Sequence, residues 1–63
     1  MKVRDLIKLI EGDGWRQSGQ RGSHRQYKHH GKSGKVTVSG VPSDDVHPKT
    51  LSSVLKQAGL KKN

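Results

Sequence analysis

His24 is the residue of this chain best placed to do chemistry, because it follows Gly22 and Ser23 in a predicted turn and opens a predicted strand. It lies inside the window 14–43, which holds six Lys or Arg residues and no Asp or Glu. Imidazole changes charge near neutral pH, and clustered cations attract phosphates. The pattern suits an acid–base enzyme that acts on a polyanion. A solvated histidine beside a turn is the simpler alternative.

The residues around His24 are suited to binding a phosphate. Arg21 and Arg25 flank the histidine and could stabilise the charge of a reacting phosphoryl group. Gly22 and Ser23 would let a phosphate approach the backbone closely. We therefore predict His24 as the catalytic candidate, with nucleic-acid-binding candidates at Arg21, Gly22, Ser23, Arg25 and Lys28.

The other histidines give a weaker signal. His29 and His30 form a pair beside Gly31, where a solvated turn is the favoured interpretation. A metal site would need further ligands, and His47 with the acidic residues 44–45 matches no recognised zinc spacing. We predict neither a bound metal nor another cofactor, and we expect His47 to lie next to the second helix.

Composition limits the class of protein. A chain of 63 residues is one domain, here predicted over 1–63, and its 27% of hydrophobic residues allows only a thin core. The net charge of +8 favours nucleic acid as the partner, with an acidic protein as a second possibility. No apolar run approaches the roughly 20 residues of a membrane span, so no membrane partner is expected. The absence of cysteine fits a reducing cytoplasm.

Two segments carry apolar residues at i, i+3, i+4 and i+7, which predicts two amphipathic helices. The first covers about residues 2–12, where Leu9 widens the apolar stripe and glycines end the helix. The second begins at Pro48 and is capped at Gly59, after which Leu60 folds back. The two stripes consist of Val3, Leu6, Ile7 and Ile10, and of Leu51, Val54, Leu55 and Ala58.

The segment between the helices predicts a three-stranded antiparallel meander. Strands are expected near residues 15–18, 24–29 and 35–40, with turns at 19–23 and 30–34. Alternation places Tyr27 on the core face and His24 on the open face. Arg25 points inward by the same alternation but could reach solvent at the sheet rim. The core face is predicted to carry Trp15, Tyr27, Val36 and Val38, and the open face His24, Gln26 and Lys28.

The chain resembles the HicA toxin family, the ribonuclease half of a prokaryotic toxin–antitoxin pair. The resemblance runs nearly end to end and is carried by Gly14-Trp15, by Arg21-Gly22-Ser23-His24 with Tyr27, by Val36-Thr37-Val38, and by residues 48–60 (PKTLSSVLKQAGL). Two features depart from the usual pattern. The loop at 40–47 is longer and more acidic, and Lys49 stands where the family often has glycine.

The resemblance implies an α+β fold like the double-stranded-RNA-binding domain, in the order α-β-β-β-α, with both helices on one face of the sheet. It also implies metal-independent endonucleolytic cleavage of mRNA, with His24 at the family's catalytic position. The implied partners are mRNA and a HicB-like antitoxin that covers the active face. A noncatalytic RNA-binding module of the same fold is the alternative function.

Overall fold

The computed structural model describes residues 1–60, so positions 61–63 of the predicted domain lie outside the described part. It contains five elements, in the predicted order of helix, three strands and helix. They are α1 (Val3–Gly12), β1 (Arg16–Arg21), β2 (His24–Lys28), β3 (Val36–Val38) and α2 (Pro48–Gln57). The predicted α+β class and element order are confirmed.

The three strands form one antiparallel sheet in the order β1-β2-β3. The turn predicted at 19–23 is too long, because β1 continues to Arg21 and pairs there with His24. Only two residues then form the loop, which Gly22 permits with a positive φ of 59°. The Gln20 side chain also donates to the Gly22 carbonyl at 2.9 Å. Trp15, predicted inside the first strand, directly precedes it.

The core lies between the helices and one face of the sheet. Trp15 and Tyr27 are both buried there, which confirms their assignment to the core. Leu9 is 44% exposed, so the prediction that it widens the packed stripe is wrong. It flanks the stripe on the side opposite to Ile7, and only the Ile7 flank packs against the core. The buried set is Val3, Leu6, Ile10, Trp15, Tyr27, Val36, Val38, Val54 and Ala58.

Both helices end in the same hydrogen-bond pattern. A glycine with positive φ turns the chain, and the N–H of the next residue donates to a carbonyl five positions earlier. These bonds join Trp15 to Ile10 (3.1 Å) and Leu60 to Leu55 (2.8 Å), and the glycines are Gly14 (φ 106°) and Gly59 (φ 71°). The turns direct Trp15 and Leu60 back onto the core, as predicted for Leu60.

The acidic loop before α2 is attached to the start of α1. Lys2 and Asp45 pair through a backbone bridge and through an ion pair of 2.9 Å. The Lys2 ammonium lowers the pKa of the Asp45 carboxyl. The Val3 N–H donates to the Asp44 carbonyl at 2.9 Å, which satisfies a donor at the helix start. These contacts give the unusual loop a structural role.

Candidate nucleic-acid interface

His24 is exposed at the first position of β2, immediately after the two-residue hairpin loop. Its direct partner across the strand pair is Arg21. Directly opposed residues of antiparallel strands share a face, with Cβ atoms about 4.5–5.5 Å apart. The fold therefore places Arg21 directly across from His24 on the same face of the sheet.

The face of the sheet that carries His24 is turned away from the helices. Its other positions follow from alternation along β2 and from the register, which opposes Arg16 to Lys28 and Gln26 to Thr37. Tyr27, the neighbour that points the other way, is buried in the core. The prediction that His24, Gln26 and Lys28 share the open face is therefore confirmed, and that face is polar and cationic.

The β1–β2 hairpin extends beyond the cover of the helices. All six residues of β1 are exposed, including Gln17 and Gln20, which pair with the core-face residues Tyr27 and Arg25. The register shifts between Gln17 and Gly19, so the extra residue Ser18 forms a bulge. This bulge brings Gln17 and Gln20 onto the same side, where their amides are joined at 3.3 Å. A ligand can thus reach the hairpin from both faces.

Arg25 is the candidate that the fold separates from His24. It pairs with Val38, is partly buried, and its Nη1 donates to the Gly40 carbonyl at 2.9 Å. Neighbouring residues of a strand point to opposite faces, so Arg25 lies across the sheet from the imidazole. The Arg25 side chain therefore points to the core side of the sheet, and its hydrogen bond to Gly40 holds the segment that follows β3. Its role as a nucleic-acid contact stays a prediction.

His29 is held by hydrogen bonds at both ring nitrogens. Its Nδ1 accepts from the Gly31 N–H at 2.9 Å, and its Nε2 lies 2.7 Å from the Asp13 carbonyl oxygen. Because Nδ1 accepts a hydrogen bond and Nε2 faces a carbonyl oxygen, the ring is the neutral tautomer that carries its proton on Nε2. The ring also meets Trp15 edge-on, with 5.3 Å between centroids. His29 is therefore a structural residue and not the solvated turn histidine that was predicted.

Lys32 joins the turn after β2 to the ends of both helices. Its ammonium contacts the Asp13 carboxylate at 2.6 Å and donates to the Ala58 carbonyl at 3.0 Å. The hydrogen bond from Lys32 lowers the pKa of Asp13. The Trp15 indole N–H also favours the ionised carboxylate, although it falls short of hydrogen-bonding distance or angle. This network fixes the carboxyl-terminal end of β2.

We expect Asp13→Asn to lower the unfolding temperature at neutral pH. The unfolding temperature of the variant should also fall less than that of the wild type as the pH is lowered. Because the folded pKa of Asp13 lies below 3.8, its carboxylate stabilises the fold above that pH. The contribution is lost as the pH falls through the lowered pKa. Thermal unfolding followed by circular dichroism from neutral pH to about pH 2 measures both effects. Lys32→Gln should behave alike, and a wild-type acid dependence in either variant would contradict the assignment.

His47 caps the start of α2, where its Nδ1 accepts from the Lys49 N–H at 3.1 Å, so its expected place beside that helix is confirmed. Within residues 1–60, no group of three or more His, Cys, Asp or Glu side chains is placed to hold a metal ion.

Comparison with protein-family models matches residues 3–60 to the family described as HicA toxin of bacterial toxin-antitoxin. The chain belongs to the HicA toxin family. It is therefore a toxin of a toxin–antitoxin system, and its family implies an antitoxin partner. A search of curated proteins found no match. No helix within the described 60 residues has both the length and the apolar character needed to cross a bilayer.

The HicA match spans every element described above, including the hairpin that carries His24. Sequence patterns predicted His24, Arg21 and Lys28 as site candidates but missed the opposition of Arg16 to Lys28. That pairing depends on the true extent of β1, whose residues lack apolar alternation. The two-residue loop alone would oppose Gln17 to Lys28, and the bulge at Ser18 shifts the partner of Lys28 to Arg16.

Proposed function

We propose that this HicA-family toxin is an endoribonuclease that cleaves mRNA with His24 as its acid–base residue. The observation that carries the proposal is the position of His24, exposed on the uncovered sheet face and directly opposite Arg21. An acid–base group must reach the proton that it moves, and an exposed ring at a hairpin loop can do so. The match to the toxin family supports the same conclusion.

The proposed reaction uses the ribose 2′-hydroxyl as nucleophile. A neutral nitrogen of His24 accepts the hydroxyl proton while the 2′-oxygen forms a bond to the adjacent phosphorus. The bond from phosphorus to the 5′-oxygen breaks, and that oxygen takes up a proton. The products are a 2′,3′-cyclic phosphate and a 5′-hydroxyl. Arg21, opposite His24, stabilises the charge that develops on the phosphoryl oxygens.

The proton for the leaving oxygen has three candidate sources: His29, Lys28 and water. Both nitrogens of His29 are engaged by backbone groups, which makes this ring a poor donor. Lys28 lies four residues along β2 from His24, about 13 Å away at the rise of a strand. Water therefore supplies the second proton in our proposal. If water instead accepts the proton of the 2′-hydroxyl, His24 donates the proton that the leaving 5′-oxygen takes up.

The uncovered face provides the proposed RNA contacts. Arg21 and Lys28 lie on it, and the loop residues Gly22 and Ser23 are exposed beside His24. A side chain at position 22 would meet no atom within 4 Å, so the loop leaves open space for a strand of RNA. Arg25 contributes mainly by bracing the loop at Gly40. The net charge of +8 supplies the general attraction to phosphate.

We further propose that the antitoxin partner is HicB-like and covers this face. A cationic face without a covering helix is available to an acidic protein as well as to RNA. A partner seated over His24 and Arg21 would exclude RNA from the same groups. Inhibition would then follow from competition for one surface and would need no change in the toxin's fold.

A noncatalytic RNA-binding module is the second candidate function. It is favoured by the open surroundings of His24, which lies outside the two concavities that the structure describes. Such a module would bind RNA in a salt-dependent way and leave it intact.

The two functions are separated by an RNA with a single ribose replaced by deoxyribose. We expect the purified toxin to cleave an all-ribose strand in the presence of EDTA and to spare the bond that follows the deoxyribose, because only ribose carries the nucleophile. Gel electrophoresis of end-labelled RNA measures both. Cleavage at the deoxyribose would reject the 2′-hydroxyl mechanism, and an intact all-ribose strand would favour the binding module.

A further inference from the structure

The open sheet face has a concave feature at the end opposite His24. It is a shallow depression of about 410 Å³, and the side chains that matter for its chemistry are Arg16, Lys28, His29 and His30. Along β2 it is centred on Lys28, so it lies about 13 Å from His24 at the rise of a strand. A group bound there is too far away to be the reacting phosphate.

Arg16 is held in place by the end of α1. Its Nη1 donates to the carbonyls of Glu11 and Trp15, both at 3.0 Å. A guanidinium carries five N–H donors in a rigid plane, and two serve these carbonyls. Three donors remain for a ligand. Because the side chain is already oriented, binding costs little of its conformational entropy.

Lys28 is directly opposite Arg16 in the strand register. Two like charges at directly opposed positions destabilise a sheet. The acidic residue nearest along the chain, Asp13, is already paired with Lys32 at 2.6 Å. An anion between Arg16 and Lys28 would turn their repulsion into attraction.

The histidine pair forms a fixed wall of the same depression. His29 is anchored at both nitrogens, and the His30 ring stacks against it at 5.8 Å with 22° between the planes. His30 is itself exposed, so its nitrogens are accessible at the rim. The wall thus presents a third nitrogen-bearing side chain next to Arg16 and Lys28.

We propose that this depression binds a second phosphate of the RNA strand whose scissile phosphate lies at His24. The proposal rests on the endoribonuclease function and extends it to the class of substrate: an extended single strand that follows β2 along the open face. Trp15 and Tyr27 are both buried, so neither offers a stacking surface to a base. The two cations of the site, Arg16 and Lys28, suit the phosphate backbone, so the site recognises the backbone and tolerates different bases.

The test measures RNA affinity against salt in proteins that also carry His24→Ala, so that binding is separated from cleavage. For a single-stranded oligonucleotide, Lys28→Gln should reduce the slope of log affinity against log salt by about 0.7, the value for one lost phosphate contact. His30→Gln, which keeps a polar side chain without a titratable ring, should lower affinity for the same strand. Lys8→Gln removes an equal charge from the exposed face of α1 and should leave the slope unchanged. Circular dichroism verifies that each variant is folded.

Equal slopes for Lys28→Gln and Lys8→Gln would overturn the second phosphate site, even if the wild type cleaves RNA. The expected difference in slope without any cleavage by the wild type would retain the site and reject the enzyme. A duplex RNA that binds as tightly as the single strand, with the same loss on Lys28→Gln, would overturn the assignment to single-stranded substrate. Oligonucleotides of different base composition should bind within a few-fold of one another, and strong dependence on one base would contradict backbone recognition.

Discussion

Replacing His24 with alanine is expected to lower the rate of RNA cleavage by about 10²–10⁴-fold, the usual contribution of one general acid–base group. Expression of the variant should no longer arrest growth or degrade mRNA. The loss should be chemical and not structural, because His24 is exposed and contributes nothing to the buried core. Cleavage of labelled RNA by the purified proteins, with growth curves on expression, measures the effect.

His47→Ser is the matched control for His24→Ala. It also removes one imidazole from the chain, but serine retains an acceptor at the position that caps α2. We expect it to cleave RNA and arrest growth like the wild type. If His24→Ala and the wild type degrade RNA equally, His24 is not the catalytic residue. If His47→Ser loses activity while it remains folded, the distinction between the two histidines fails.

The helices and the core could be predicted because buried residues recur at a regular spacing in the sequence. Apolar residues at helical spacing located α1 and α2, and two glycines located their ends. The face of His24 followed from Tyr27, since positions three apart on a strand point to opposite sides. The aromatic core could be assigned because so short a chain has few other large side chains to bury.

The first strand was harder to predict because none of its side chains is buried in the core. Its residues (RQSGQR) are all exposed, so no apolar alternation indicates their register or the bulge at Ser18. The position of Arg25 depends on a hydrogen bond to Gly40, which is fifteen residues away in sequence. The depression at Lys28 was hard to predict for both reasons. Its position depends on the register of β1 and on the contact between Arg16 and the end of α1.

Gly14→Ala is expected to destabilise the fold by about 2–5 kcal/mol. Gly14 has a φ of 106°, outside the range that an L-residue adopts without strain, which costs about 1–2 kcal/mol. An added Cβ would also lie 2.7 Å from Nε2 of His29. That ring cannot move freely, because both its nitrogens are bound and it packs against Trp15. Overpacking of this kind costs a further 1–3 kcal/mol or so.

The matched control is Gly12→Ala, two residues earlier at the end of α1. An added Cβ there meets no atom within 4 Å, and alanine favours the helix by about 0.5–1 kcal/mol. Urea unfolding should therefore separate the variants, with a lower midpoint for Gly14→Ala and an equal or higher one for Gly12→Ala. Since total stability is about 0.05–0.15 kcal/mol per residue, Gly14→Ala removes a large part of it. Equal midpoints would show that the His29 ring yields freely, and the fixed wall of the proposed phosphate site would lose its basis.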